Sequence, residues 1–368
     1  MTMRKTTILL AFLGLTTAVA AQQGKGPRLL TDRFAQLGMQ FSSWSVNEDR
    51  LTQMALPVSY RMPMGEEGQL YVSTSPAFSG LKRDSLDYSL SGLTDVRIGG
   101  NRFLFNHNWL LTFGVNLPTG KSALDPLEEV KVWRELVQPA FHFPVAVYGQ
   151  GLDVNLGLST AYELGDWMLG AGIAYLYKGA FKPIDGASLE YDAGDEIIFT
   201  VGAQRENLMA DLMVTYYGVD QLGGVDRFQS GLTFLIQLAG RWELGCWQVD
   251  VLARDQYKTK NKISAGTGLI TERTTLNGNQ FEFHALGRRP MQNHLDLQAA
   301  WDLRVYANNG FGWGGSMFTG PGVGVKWRLT DSVSLDLMTL MLFGKINTLA
   351  GSFDASGLTG RAGLAVQL

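Results

Sequence analysis

The chain has 368 residues, 45% of them hydrophobic and only 18% charged, with a formal net charge of −3 and a mean hydropathy near zero. That balance gives no basis for binding nucleic acid, and the lone Cys246 excludes an intrachain disulfide framework or a cysteine metal cluster. After residue 21 no run of about 18 apolar residues exists, so no transmembrane helix is expected.

Arg4 and Lys5 precede a short apolar core, Ile8 to Leu15, and Ala18-Val19-Ala20 offers an A-x-A cleavage site. Residues 1–21 therefore read as a secretory signal peptide, whose removal takes the charge to −5. Residues 22–37 are polar and are expected to form a periplasmic lead or a small plug.

From residue 38 onward, apolar and polar residues alternate in segment after segment. The clearest spans 294–306, where Leu295, Leu297, Ala299, Trp301, Leu303 and Val305 share one face and Asp296, Gln298, Asp302 and Arg304 the other. Similar segments fall at about 38–47, 52–62, 69–77, 93–104, 109–117, 152–163, 167–178, 196–204 and 208–218. They continue at 230–242, 246–257, 279–287, 317–329, 333–343 and 357–368. Lengths of roughly 9–13 residues suit tilted strands crossing a bilayer around a wet interior. The expected fold is all-β: a single antiparallel, up-and-down transmembrane β-barrel of about 14–16 strands spanning 38–368. Lipid and water faces average to neutral hydropathy. The 44 glycines, 9 tryptophans and 12 tyrosines fit a small-residue inner wall and interfacial aromatic girdles.

Connections alternate between short and long. Short turns fall at 106–108, 164–166, 205–207, 243–245 and 329–331, and long connections at 78–92, 118–151, 179–195, 219–229, 258–278, 307–316 and 344–356. Short turns belong on the periplasmic side. Trp109, Trp167, Trp242, Trp247 and Trp327 flank them, as a periplasmic girdle would. Outer-membrane lipid and the barrel-assembly machinery are the implied partners of a monomer. Arg361 to Leu368 looks like a terminal insertion strand, although that signal usually ends in an aromatic residue rather than Leu368.

Gly114-Val-Asn-Leu-Pro-Thr-Gly120-Lys121-Ser122 mimics a phosphate-binding loop but has five residues between its glycines where four are needed. His107, His142, His284 and His294 show no metal-ligand spacing, and no metal or cofactor is expected. His294 with Asp296 is the nearest approach to a catalytic pair, beside a presumed periplasmic turn; His284 reads as a polar lumen residue.

The inward positions carry both signs of charge: Asp95, Arg97, Asp153, Asp211, Asp250, Arg254, Asp296, Asp302, Arg304, Asp336 and Arg361. Interleaved signs favour an ion-paired network over a selectivity wall, which would show one sign in excess. Higher on the same face Asp336 gives way to Met338, Leu340 and Leu342, an apolar upper lumen that would suit a lipophilic guest or contact with folded-in loops. Asp125-Pro126-Leu127-Glu128 is a helix start, and Leu127, Val130, Trp133 and Val137 lie near one face. An amphipathic helix over about 126–137 is predicted on the outer side, to collect hydrophobic molecules or to cap the mouth.

Three passages carry a resemblance: Ser91-Gly-Leu-Thr-Asp-Val-Arg-Ile-Gly-Gly100, Leu111-Thr-Phe-Gly-Val-Asn-Leu-Pro-Thr-Gly-Lys121, and the hairpin from Gly151 through Leu164-Gly-Asp-Trp to Tyr177. Over residues 50–180 the chain resembles the outer-membrane barrels grouped with meta-pathway phenol degradation, distant relatives of long-chain fatty-acid channels. The resemblance implies passive uptake of small hydrophobic or aromatic compounds by a non-enzymatic, porin-like transporter. A structural or adaptor barrel in an envelope complex and an outer-membrane hydrolase are the alternatives.

Overall fold

The computed structural model describes residues 33–368 except 66, 106–107, 267, 274, 276, 293, 308–312 and 349–350. The predicted signal peptide, His107 and most of the 22–37 lead lie outside the described residues. The lead is shorter than expected, because the first strand already begins at Phe34.

In chain order the first wall contains β1 (Phe34–Val46), β2 (Asp49–Ala55), β3 (Val58–Pro63), β4 (Gly68–Thr74), β5 (Pro76–Arg83), β6 (Leu86–Leu93), β7 (Val96–Leu104) and β8 (Trp109–Leu117). Helix α1 (Glu129–Leu136) and a 3₁₀ turn (Pro139–Phe141) follow. Next come β9 (Asp153–Leu164), β10 (Trp167–Lys178), β11 (Tyr191–Asp192), β12 (Glu196–Arg205), β13 (Leu208–Tyr217), β14 (Val219–Leu222), β15 (Val225–Gln229) and β16 (Thr233–Leu244). The chain finishes with β17 (Trp247–Lys258), β18 (Lys262–Ala265), β19 (Gly268–Thr271), β20 (Gln280–Gln292), β21 (Leu295–Tyr306), β22 (Trp313–Arg328), β23 (Val333–Thr348) and β24 (Gly351–Gln367).

Nineteen of these strands form one antiparallel sheet that closes when β1 pairs with β24 from Phe34↔Gln367 to Val46↔Ala355. Three staves are interrupted: β2 runs on into β3, β4 into β5, and β6 into β7, so the barrel has sixteen staves. Proline explains one break. Pro57 has no N–H to give the ladder, but its carbonyl accepts the Gly38 N–H at 2.8 Å and keeps β1 attached. Closure leaves no free edge, which is why such a sheet can cross a bilayer.

The outward positions carry the lipid band. Leu156, Val201, Ile236, Leu238 and Trp301 are all about half exposed, as lipid-facing residues are in an isolated chain. Trp109, Trp167, Trp242 and Trp327 lie exposed beside the periplasmic turns, with Trp247 half-buried among them. Three of those turns use a left-handed residue, Gly165 at φ 59°, Glu206 at φ 47° and Gly245 at φ 62°. Glycine accepts that geometry without strain.

Two long connections predicted as loops are strand. Residues 78–92 belong to β5 and β6, joined at Asp84-Ser85 with Asp84 at φ 55°, and 344–348 and 351–356 belong to β23 and β24. Both staves stand above the lipid. At roughly 3.3 Å per residue, strands of 16 and 17 residues outreach a tilted span of about 9–11. Three further outer connections are not structureless either: β11, β14, β15, β18 and β19 assemble into a separate five-stranded sheet.

A candidate passage and its lumen insert

In the 118–151 connection apolar residues recur at 141, 143 and 145, an alternation out of place in open water. It folds inward. Both ends of the insert are tied to one carboxylate, for Asp95 accepts the Gly120 N–H at 2.8 Å and the Gln150 N–H at 3.0 Å. The neck is tight enough that a Cβ on Gly120 would sit 2.1 Å from the Tyr148 carbonyl oxygen. Asp153 braces the same neck through Asn116 at 3.0 Å and Gln150 at 2.9 Å.

Beyond the neck the insert docks on the upper inner wall. The Trp44 indole donates to the Phe141 carbonyl at 2.9 Å. Gln53 grips Val145 with both ends of its amide: Nε2 donates to the Val145 carbonyl at 2.7 Å, and Oε1 accepts the Val145 N–H at 2.8 Å. The same Nε2 donates to Ser79 Oγ at 2.9 Å, which in turn lies 2.8 Å from the Tyr148 hydroxyl. Burial raises the Tyr148 pKa, so it remains a neutral hydrogen-bonding phenol. Around these polar ties Val132, Leu136, Phe141 and Phe143 pack with Trp44, Leu81, Leu90, Phe318, Leu342 and Ile346 in one buried cluster.

That cluster uses up the apolar upper lumen. Leu342 is fully buried and Leu340 packs against the same core, whereas Met338 lies one layer lower, opposite Arg361 and Gly324. Of the two readings open in the sequence, these leucines serve contact with a folded-in loop.

Helix α1 starts at Glu129, later than predicted. Asp125 Oδ1 caps the Leu127 and Glu128 N–H groups at 2.7 and 2.9 Å, and Glu129, not Glu128, returns a bond to the Asp125 N–H at 3.0 Å. Its buried residues are Val132, Glu135 and Leu136. The predicted stripe is split: Leu127 is 73% and Trp133 37% exposed, whereas Val130 packs against the buried cluster and Val137 is half-buried. The helix is pinned by Arg83, which holds Glu135 at 3.1 Å and Asp49 at 2.6 Å, and by Lys131 over the Tyr88 ring.

Below the core the inward charges are paired, most across strands and Arg304–Asp302 within β21. Arg254 meets Glu282 at 2.9 Å, Arg304 meets Asp302 at 2.9 Å, and Arg361 lies 3.6 Å from Asp336. Asp250 holds Arg241 and, at 2.9 Å, Arg288. Arg97 is exposed on its strand, and Asp211 is buried with neither carboxylate oxygen hydrogen-bonded. Asp296 aligns with Lys326 and Pro290 in the register.

One insert residue reaches past β22 to the adjoining β21 and β20. His142, in a left-handed conformation at φ 50°, places Nε2 2.8 Å from Glu282 Oε1 and 2.7 Å from the Tyr306 hydroxyl. Tyr306 also bonds the Pro139 carbonyl at 3.1 Å. Burial lowers the His142 pKa, and nearby Arg304 lowers it further, against the raising effect of Glu282.

The sequence reading missed Trp44, Gln53, Ser79, Glu282 and Tyr306 as site residues. Gln53 and Ser79 carried a faint signal, as polar residues on an otherwise apolar inner face. His294, the catalytic candidate, is exposed in a turn, where its carbonyl accepts the Arg328 N–H at 2.7 Å. His284 does meet Asp302 at 2.6 Å, but its other nitrogen lies 3.7 Å from Glu282 rather than against a serine. Among the described residues no group of His, Cys, Asp and Glu is placed to hold a metal ion.

No protein-family profile matches the chain, and no curated protein matches it in sequence. Among solved structures it is similar to a bacterial polysaccharide outer-membrane secretin, with TM-score 0.51, 11% identity, and coverage of 91% of this chain and 98% of that one. It also matches the CymD monoaromatic hydrocarbon channel, with TM-score 0.45, 11% identity and coverage of 93% and 90%. An outer-membrane channel from Pseudomonas putida matches with TM-score 0.40, 11% identity and coverage of 92% and 96%. The shared feature is the fold, and this sixteen-stranded barrel with its lipid-facing apolar band is a β-barrel of the outer-membrane type, located in the outer membrane of a Gram-negative bacterium.

Proposed function

We propose that the barrel admits small hydrophobic or aromatic solutes passively through a passage narrowed by the lumen insert. The observation that carries this reading is the one-sided docking of the insert. It packs on the staves from β1 to β6 and from β21 to β24, whereas the facing wall carries Gly157, Ser159, Gly170, Gly172 and Gly202 at inward positions. Small side chains there leave room beside the insert. The exposed Leu127 and Trp133 give the outer mouth an apolar contact for a solute. The resemblance to the meta-pathway barrels makes aromatic compounds the first solutes to try.

Single-channel recording in planar bilayers tests the reading. The folded protein should show small, reproducible steps that an added monoaromatic solute interrupts and an equal concentration of sucrose does not. Excising residues 122–147 should enlarge the steps several-fold and remove the interruptions. Silence from folded protein, or steps indifferent to both the excision and the solute, would sink the proposal.

A further inference from the structure

We propose that His142 is a proton-sensitive latch that holds the lumen insert against β20 and β21 and releases it in acid. The latch is a property of the insert and applies to the proposed channel only if that channel conducts.

The geometry singles out this residue. The hydrogen bonds and packing contacts of the insert otherwise fall mainly on β1, β2, β5, β6 and the upper parts of β22 to β24. The Pro139–His142 stretch extends this contact round the wall to the adjoining β20 and β21, where His142 stands between Glu282 and Tyr306. Its side chain is still 29% exposed, so a proton can reach it from the lumen water.

The charges facing it come from three strands. Glu282 and His284 project from β20, Asp302, Arg304 and Tyr306 from β21, and Arg254 from β17. Both acids are already shared: Glu282 with Arg254, Asp302 with Arg304 and His284. A neutral imidazole completes this set, whereas an imidazolium adds a further cation to it.

The sign follows from linkage. The docked His142 has a lowered pKa, so the docked insert binds fewer protons than the free one. Docking is strongest above the free value of about 6.5 and weakens as pH falls below it, by up to about tenfold per pH unit.

Two readouts on the full barrel test this. Conductance is recorded between pH 7.5 and 5, and hydrogen exchange at the Val145 amide is followed over the same range after correction for intrinsic exchange. Both should rise towards pH 5 in the wild type and become flat in His142→Gln, which keeps a polar side chain without the titration. His142→Asn replaces it if the first variant does not assemble. Exchange that stays flat in the wild type, or still rises in the variant, overturns the latch. Silent conductance with acid-dependent exchange would keep the latch and reject the channel. A conducting barrel with no pH response in either readout would do the reverse.

Discussion

Gln53→Leu should free the insert while leaving the barrel closed. The substitution conserves volume but strands the Val145 N–H and carbonyl that Gln53 now satisfies, and removes a donor from Ser79. Each buried polar group left without a partner costs about 1–3 kcal/mol, so undocking should become easier by roughly 2–5 kcal/mol. The loss falls on docking because the released groups regain water, whereas the stave carrying residue 53 keeps its pairing with β1 and β5. Limited proteolysis within 122–147 should become fast in the variant, with an unchanged heat-modifiable barrel band. An insert as resistant as in the wild type would show that the apolar cluster alone holds it.

Leu238→Arg should damage assembly more than any single change in the lumen. Leu238 is 54% exposed on the outward face, midway along β16, and lies between Ala210 and Ala253 in the register. An arginine at the bilayer midplane of a barrel costs about 2–4 kcal/mol, falling to about 0–1 near the interfaces. Leu297→Arg should be milder, because Leu297 lies two residues from the periplasmic end of β21, close to Trp327. Replacing Gln298 also carries a cost, because it is almost fully buried and donates to Asp336 at 3.3 Å. Urea titration of folding into lipid vesicles ranks these variants, and equal costs at 238 and 297 would contradict the assigned depth.

Most of the barrel was legible because lipid on one side and water on the other force a period of two on every stave. The same reasoning explains where the reading stopped. On β24 the outward face reads Leu364, Ala362, Gly360 and Leu358, then Ser356, Asp354 and Ser352, and on β23 Met341 and Phe343 precede Lys345 and Asn347. The alternation ends where the lipid ends, not where the strand ends, so 344–356 looked like a loop. The inner ion pairs were legible as types of residue on one face. Their partners were not, because Arg254 meets Glu282 through a register that no local pattern fixes. The insert was harder still. Its docking depends on Gln53 and Val145, 92 residues apart, and a helix stripe chosen by period alone singled out Leu127, Val130, Trp133 and Val137 but not Val132 and Leu136, which the docked face buries.

The tall staves have a consequence for how the molecule comes apart. Below the level of Phe343 and Leu358 the wall is sealed by its solvent, since a bilayer offers an opened backbone no partner for its N–H and C=O groups. Above that level water bathes the outer surface, and the strands hold together as a soluble protein does, by burying Trp44, Leu51, Leu81 and Ile346 against Phe141 and Phe143. One continuous sheet thus obeys two different rules of cohesion along its length. Urea, which weakens apolar burial in water, acts on the crown directly and on the submerged girdle only after the lipid has been displaced.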